Sequence, residues 1–174
     1  MKHSDLVGLL LGGVGESGGS WADLGAGEGA FTFALAELLG PRARIVAVDK
    51  DARAIRGIGE EMASRFPYVT VETRAADFTK PLGLAGLDGV LMANSLHFVR
   101  DKAPVLASVR AMLAPGGRLV VVEYGTDRGN AWVPHAFSFP TWEKMAAAAG
   151  FGSTVLLHTI PSRHLGSLYS AMSS

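Results

Sequence analysis

Apolar residues come in short bursts separated by turn-forming clusters, and the bursts alternate between a helical and a strand-like rhythm. Leu6 to Leu11 reads as a first helix, followed by a turn at Ser17-Gly18-Gly19-Ser20. Trp21 to Leu24 is a short apolar strand that runs into Gly25-Ala26-Gly27-Glu28-Gly29. Ala30 to Leu39 reads as a helix that Gly40-Pro41 ends. Arg44 to Val48 is a strand closing on Asp49, Asp51 can cap a helix lasting to about Phe66, and Tyr68 to Thr73 is a third strand. Asp88 to Ala93 is a buried strand, and Pro104 to Leu113 is a helix broken by Pro115-Gly116-Gly117. Arg118 to Tyr124 is an almost continuously apolar strand. Beyond it, Gly125 to Phe139 is irregular and Thr141 to Ala149 is helical up to Gly150. Val155 to Ile160 and Leu165 to Ser170 are strand candidates.

Strands that alternate with helices imply parallel pairing through right-handed crossovers, with helices on both faces of the sheet. The expected fold is therefore α/β and doubly wound. A chain of 174 residues without repeat, low-complexity tract or linker reads as one domain over residues 1–174.

Composition narrows the chemistry. Lys plus Arg and Asp plus Glu are 16 each, so no global field draws the chain onto nucleic acid or anionic lipid, and there is no dense basic run. The absence of cysteine excludes thiol chemistry and fits a cytoplasmic protein. Leu6 to Leu11 is too short to span a bilayer, and Asp5 interrupts the flank a signal peptide would need, so a packed helix is expected and no membrane partner.

A Gly-x-Gly turn between a strand and a helix lets backbone approach a ligand closely, and Gly25 and Gly27 fill those places around Ala26. Asp49, at the end of the next strand, is where a carboxylate meets the ribose hydroxyls of an adenosine. An adenine dinucleotide and S-adenosylmethionine (SAM) both carry that ribose. Two more acids lie outside the dinucleotide fingerprint: Asp23 within the first strand and Asp77 beside Phe78 after the third. SAM, with an ammonium and a sulfonium and no pyrophosphate, gives acids near the loop a purpose.

These segments resemble the class I SAM-dependent methyltransferases, in particular the small-molecule group that includes ubiquinone/menaquinone-biosynthesis enzymes. The resemblance is good over about residues 20–125. It implies that Asp23 to Gly29 holds the methionyl part and ribose and that Asp49 is the ribose acid. It further implies that Asp77 and the Phe78 backbone meet the adenine and that the Asn94 backbone binds the methionyl ammonium. Leu113 to Leu119, around Pro115-Gly116-Gly117, is similar to the family's turn into the fifth strand. Lys50 stands where the family often has an apolar residue against adenine, a place its alkyl stem can fill. The family's fold is a Rossmann-like three-layer sandwich. Its seven-stranded sheet is mostly parallel with an antiparallel last strand, which makes the final two strand candidates the closing pair.

Methyl transfer is an in-line displacement at the sulfonium methyl, and a base is needed only where the acceptor must lose a proton. Ligands of doubly wound sheets sit beyond the C-terminal strand ends, which puts Asn94-Ser95-Leu96-His97 and Glu123-Tyr124 beside a small-molecule acceptor. The first helix and the Gly125 to Phe139 segment would roof it. His97 is the base candidate because imidazole titrates near neutrality, against the alternative of packing on SAM or bonding within its loop. Glu123 or Tyr124 is a second candidate for binding or deprotonating the acceptor, unless Glu123 caps backbone amides or pairs with Arg128. His135, in Trp132-Val133-Pro134-His135, belongs either to a lid or to a surface loop. His3, His158 and His164 lack metal-ligand spacing, and Trp21 and Trp142 read as packing residues. The 94–97 segment lacks the Pro-Pro-aromatic run of base- and amide-modifying relatives, which argues against a nucleic-acid substrate. The competing readings are a nicotinamide-dependent oxidoreductase and a catalytically silent SAM-binding domain.

Overall fold

The apolar bursts become seven strands of one sheet in the computed structural model, which describes residues 1–15, 17–162 and 164–174. The strands are β1 (Gly19–Leu24), β2 (Ala43–Asp49), β3 (Thr70–Ala75), β4 (Leu87–Ala93), β5 (Leu113–Tyr124), β6 (Thr154–Pro161) and β7 (Ser167–Ser173). The helices are α1 (His3–Leu10), α2 (Ala30–Leu39), α3 (Ile58–Arg65), α4 (Ala103–Met112) and α5 (Phe139–Ala148). The strand order is β3-β2-β1-β4-β5-β7-β6, with the first five parallel and β7 antiparallel to both β5 and β6. This is the expected Rossmann-like, doubly wound α/β sheet with its antiparallel closing strand.

Alternation along each strand sorts the side chains into two cores. On one face Trp21 and Ile45 pack with Leu9 and Leu10 of α1, Leu35 and Leu39 of α2 and Met62 of α3. On the other, Ala22, Leu24 and Val48 pack with Leu106 and Val109 of α4 and Trp142 of α5. Both Trp21 and Trp142 are buried, as packing residues should be. No helix among the described residues is long and apolar enough to cross a membrane.

Two segments differ from the pattern read in the sequence. The helix expected from Asp51 begins as a 3-10 turn at Ala54–Gly57 and becomes α-helical only at Ile58. Asp51 Oδ1 accepts from Arg53 N at 2.9 Å, an Asx-type turn, and Gly57 and Gly59 lower the helical propensity of the next turn. Likewise, Pro115-Gly116-Gly117 lies within β5, which starts at Leu113 directly after α4. Leu113 already pairs with Leu87, and the register shifts before Arg118 pairs with Gly89.

The order reverses between β1 and β4, so the C-terminal ends of β1, β2, β4 and β5 open onto one crevice. The functional candidates collect there.

Candidate active site

A cavity of about 470 Å³ at the switch point is lined by Gly25, Asp49, Lys50, Asp77, Phe78, Thr79, Ser95, Phe98 and Val99. Its floor is the glycine loop, pinned to β2 where Gly25 N and Ala26 N both donate to Val48 O, at 2.8 and 3.0 Å. Gly25 has φ +86°, and a Cβ there would collide with Ser95 Cβ, whose hydroxyl donates to Leu24 O at 2.7 Å. Gly27, at φ +54°, has no described atom within 4 Å of its hypothetical Cβ and faces open space. Asp49 braces the loop, since its Oδ2 accepts from Gly27 N at 2.8 Å and its Oδ1 from Asp51 N at 2.9 Å.

Asp77 sits across the cavity, with Oδ1 accepting from Thr79 Oγ1 at 2.7 Å and Thr79 N at 2.9 Å. Those bonds, the hydroxyl's first, hold its carboxyl below the usual range. Asn94 ends β4 in the left-handed region at φ +52°, with its N–H donating to Val122 O at 2.8 Å. Its side-chain Oδ1 is buried without a hydrogen-bond partner among the described residues.

Asp23 lies apart from these. It shares the α2-facing side of β1 with Trp21, is 1% exposed, and accepts a 2.6 Å hydrogen bond from Thr32 Oγ1 at Oδ2. Burial pushes its carboxyl up to about 7, the Thr32 bond opposes that rise, and the Asp49 charge adds to it. It ties β1 to α2 through Thr32 and is absent from the cavity lining.

A second cavity of about 570 Å³ adjoins the first through Phe98 and is lined by Asn94, His97, Phe98, Tyr124, Asn130, Trp132, Val133 and His164. Here the two catalytic candidates meet. His97 Nδ1 lies 2.7 Å from Glu123 Oε2, and Glu123 Oε1 accepts from Leu96 N at 3.0 Å and His97 N at 3.2 Å. Glu123 thus caps backbone amides and binds the imidazole, and Arg128 is not its partner. Against a carboxylate, which only accepts, Nδ1 is the ring nitrogen that donates, and Nε2 is the one not bonded to Glu123. Tyr124 stacks edge-on to His97 at 5.9 Å, and burial, reinforced by the Glu123 charge, raises its phenol. Trp132, 83% exposed, and Phe98, 60% exposed, stand at this cavity's mouth, which gives the Gly125 to Phe139 segment the position of a wall.

The sequence did not single out Ser95, Thr79 or Val99 for the first cavity. Ser95 had a signal, because a small residue opposite a Gly-x-Gly turn is what close approach requires. Of the scattered histidines, His3 binds Glu37 at 2.7 Å and His158 binds Leu11 O at 3.1 Å, while His164 lines the second cavity. Among the described residues no group of three or more His, Cys, Asp or Glu side chains could hold a metal ion.

Residues 22–119 match the family model of a methyltransferase domain. The ubiquinone/menaquinone biosynthesis C-methyltransferase UbiE of Saccharophagus degradans is 31% identical over 132 residues, which cover 75% of this chain and 52% of that protein. A reducing polyketide synthase, grgA, of a Penicillium species is 29% identical over 164 residues, covering 79% of this chain and 6% of the synthase. The chain therefore spans about half of one relative and a small part of the other. A SAM-dependent methyltransferase from Aquifex aeolicus shares the fold, with a TM-score of 0.72 and 16% identity over 99% of this chain and 98% of that one. The dinucleotide reading of the glycine loop is set aside by these matches, and the chain belongs to the methyltransferase-domain family, with the Rossmann-like fold of the class I SAM-dependent methyltransferases.

Proposed function

We propose that this chain transfers the methyl group of SAM to a small-molecule acceptor whose reacting atom must lose a proton, with His97 as the base and Glu123 orienting it. The observation that carries the reading is the buried 2.7 Å contact between His97 Nδ1 and Glu123 Oε2 on the wall of a cavity that adjoins the glycine-loop cavity.

The residues of the first cavity fit SAM. Asp49 has spare lone pairs for the ribose hydroxyls, and Asp77 Oδ2 accepts none of the Thr79 bonds and is available to the adenine amino group. Asn94, which directly follows β4 and lines the adjoining second cavity, is placed to meet the methionyl ammonium with its backbone. Gly25, Ala26 and Gly27 offer backbone at close range, and the Lys50 stem and Phe78 ring flank the base. Asp23, buried between β1 and α2 with its proton retained to about pH 7, takes no direct part in holding SAM.

Bound SAM supplies an electrophilic methyl on a cationic sulfur, so the protein's own work is alignment, proton removal and exclusion of water. Glu123 holds His97 in the tautomer whose Nε2 accepts a proton, and its charge stabilises the imidazolium that results. Tyr124 lines the same cavity as a neutral phenol and can donate to an acceptor oxygen. The apolar surface of Phe98, Trp132 and Val133 suits a flat or apolar acceptor, and the zero net charge suits a small molecule better than a polyanion. A relative named as a C-methyltransferase supports an acceptor with an acidic C–H.

Turnover of methyl-labelled SAM against a panel of acidic-C–H and phenolic compounds tests the reading. The expected result is a methylated product whose formation falls by about 10²-fold or more in His97→Ala. Undiminished turnover in that variant would remove His97 as the base.

A further inference from the structure

Lys102 stands just before α4, outside both cavities, yet its side chain turns inward and the residue is 8% exposed. Its Nζ donates to Val99 O at 2.8 Å and to His135 O at 3.0 Å, and lies 5.0 Å from the Phe137 ring centroid. Val99 follows the 3-10 turn Leu96–Phe98 that carries His97, and His135 N donates to His97 O at 3.1 Å. The ammonium therefore closes a ring of bonds that joins the turn bearing His97 to the 126–138 segment bearing Trp132.

An amine buried this way loses hydration, and that cost lowers its proton affinity. The interaction opposing the loss is with the Glu123 carboxylate. Two carbonyl oxygens could be satisfied by a neutral donor, and the partners that favour a cation are the Phe137 ring face and the Glu123 carboxylate. The other ionisable groups around Glu123 are Tyr124 on β5 and Tyr169 on β7, both raised first by burial and then by Glu123, so they remain neutral phenols. Asp127 acts on Tyr169 from the neighbouring segment, and His164 lines the same cavity. Lys102 adds positive charge near Glu123 from outside both cavities.

We propose that Lys102 is a positioning residue for the base, its ammonium fixing the His97 turn against the 126–138 segment and biasing the His97–Glu123 pair toward neutral imidazole and carboxylate. The inference rests on the reading of His97 as the base. Two positive charges compete for one carboxylate, so the standing charge on Lys102 disfavours a proton resting on His97 before an acceptor delivers one.

The test is nitrogen NMR of the His97 ring as a function of pH, assigned by comparison with His97→Ala and read without any acceptor. Lys102→Arg keeps charge and donors and should leave the His97 curve in place. Lys102→Gln keeps a neutral donor, and Lys102→Met keeps neither charge nor donor; both should move the curve to higher pH by about one unit, tenfold in proton affinity. A Lys102→Gln curve that overlays the wild type would overturn the proposal and leave Lys102 a neutral strap. Glu123→Gln separates this from the larger reading. If it leaves the His97 signals unmoved, the pairing of His97 with Glu123 fails; if it moves them while Lys102→Gln does not, only the role of Lys102 fails.

Discussion

His97 and Glu123 face each other across 2.7 Å with 2% and 0% of their surfaces exposed, and the same carboxylate accepts two backbone N–H groups of the turn that carries His97. One side chain thus acts on both the orientation of the ring and the conformation of the turn. Glu123→Gln keeps a carbonyl for the backbone donors but removes the charge. It should fold normally and lose about 10²-fold or more in turnover. Glu123→Ala leaves those donors and the imidazole without a partner in a buried site, and should lose about 3 kcal/mol or more of stability in urea unfolding. Equal stability of the two variants would contradict the capping role.

Asp23 gives the fold a pH dependence of unusual sign. Its carboxyl is raised from an ordinary 3.8 to about 7, chiefly by burial, so the folded chain keeps a proton that the unfolded chain has released. The stability this proton contributes is complete below about pH 4 and is lost as pH rises through about 7. Asp23→Asn retains an acceptor for Thr32 and has nothing to ionise. The stability of the variant relative to wild type should climb across that window by on the order of 4 kcal/mol. Denaturant melts at several pH values give the comparison, and a difference that does not vary with pH would contradict it.

The two central glycines of the loop should fail in different ways. At Gly25 a methyl group meets Ser95 as well as the left-handed backbone, whereas at Gly27 it meets no described protein atom. Gly25→Ala should be the more destabilised protein. Gly27→Ala should lose only about 1 kcal/mol from its backbone conformation, yet bind SAM poorly because the methyl enters the ligand's space. Thermal melts and calorimetry on the pair distinguish the two, and unchanged SAM affinity in Gly27→Ala would contradict the proposed ligand position.

Trp132 is 83% exposed while Trp21 and Trp142 are buried, so a shift in tryptophan emission on binding at the second cavity comes mainly from Trp132. An acceptor or its analogue should shift that emission to the blue. Trp132→Ala should abolish the shift and raise KM for the acceptor with little change in stability. A blue shift that persists in Trp132→Ala would place the acceptor elsewhere.

Much of this was legible in the sequence. Ala30–Leu39 matches its expected span because Gly29 and Gly40 bracket an apolar run with no competing conformation. The glycine loop and Asp49 could be located because parallel strands send their C-terminal ends to one side. That same rule brought His97 and Glu123 into one neighbourhood; their pairing depends on the register of β4 with β5, where Ala93 lies beside Val122. The side to which Asp23 turns was encoded in its two-residue spacing from Trp21, a buried packing residue on the α2 face. Lys102 carried no comparable signal. A lysine before a helix ordinarily faces water, and only the return of the 126–138 segment adds the His135 carbonyl to that of Val99.

The central claim, that SAM binds over the glycine loop with Asp49 at its ribose, is tested most directly by calorimetric titration of SAM into wild-type and Asp49→Ala protein. The wild type should bind SAM, and Asp49→Ala should bind it more weakly by about 1.5 to 3 kcal/mol, the scale of hydrogen bonds to a charged group. Absence of SAM binding to the wild type, or equal affinity in the two proteins, would contradict it.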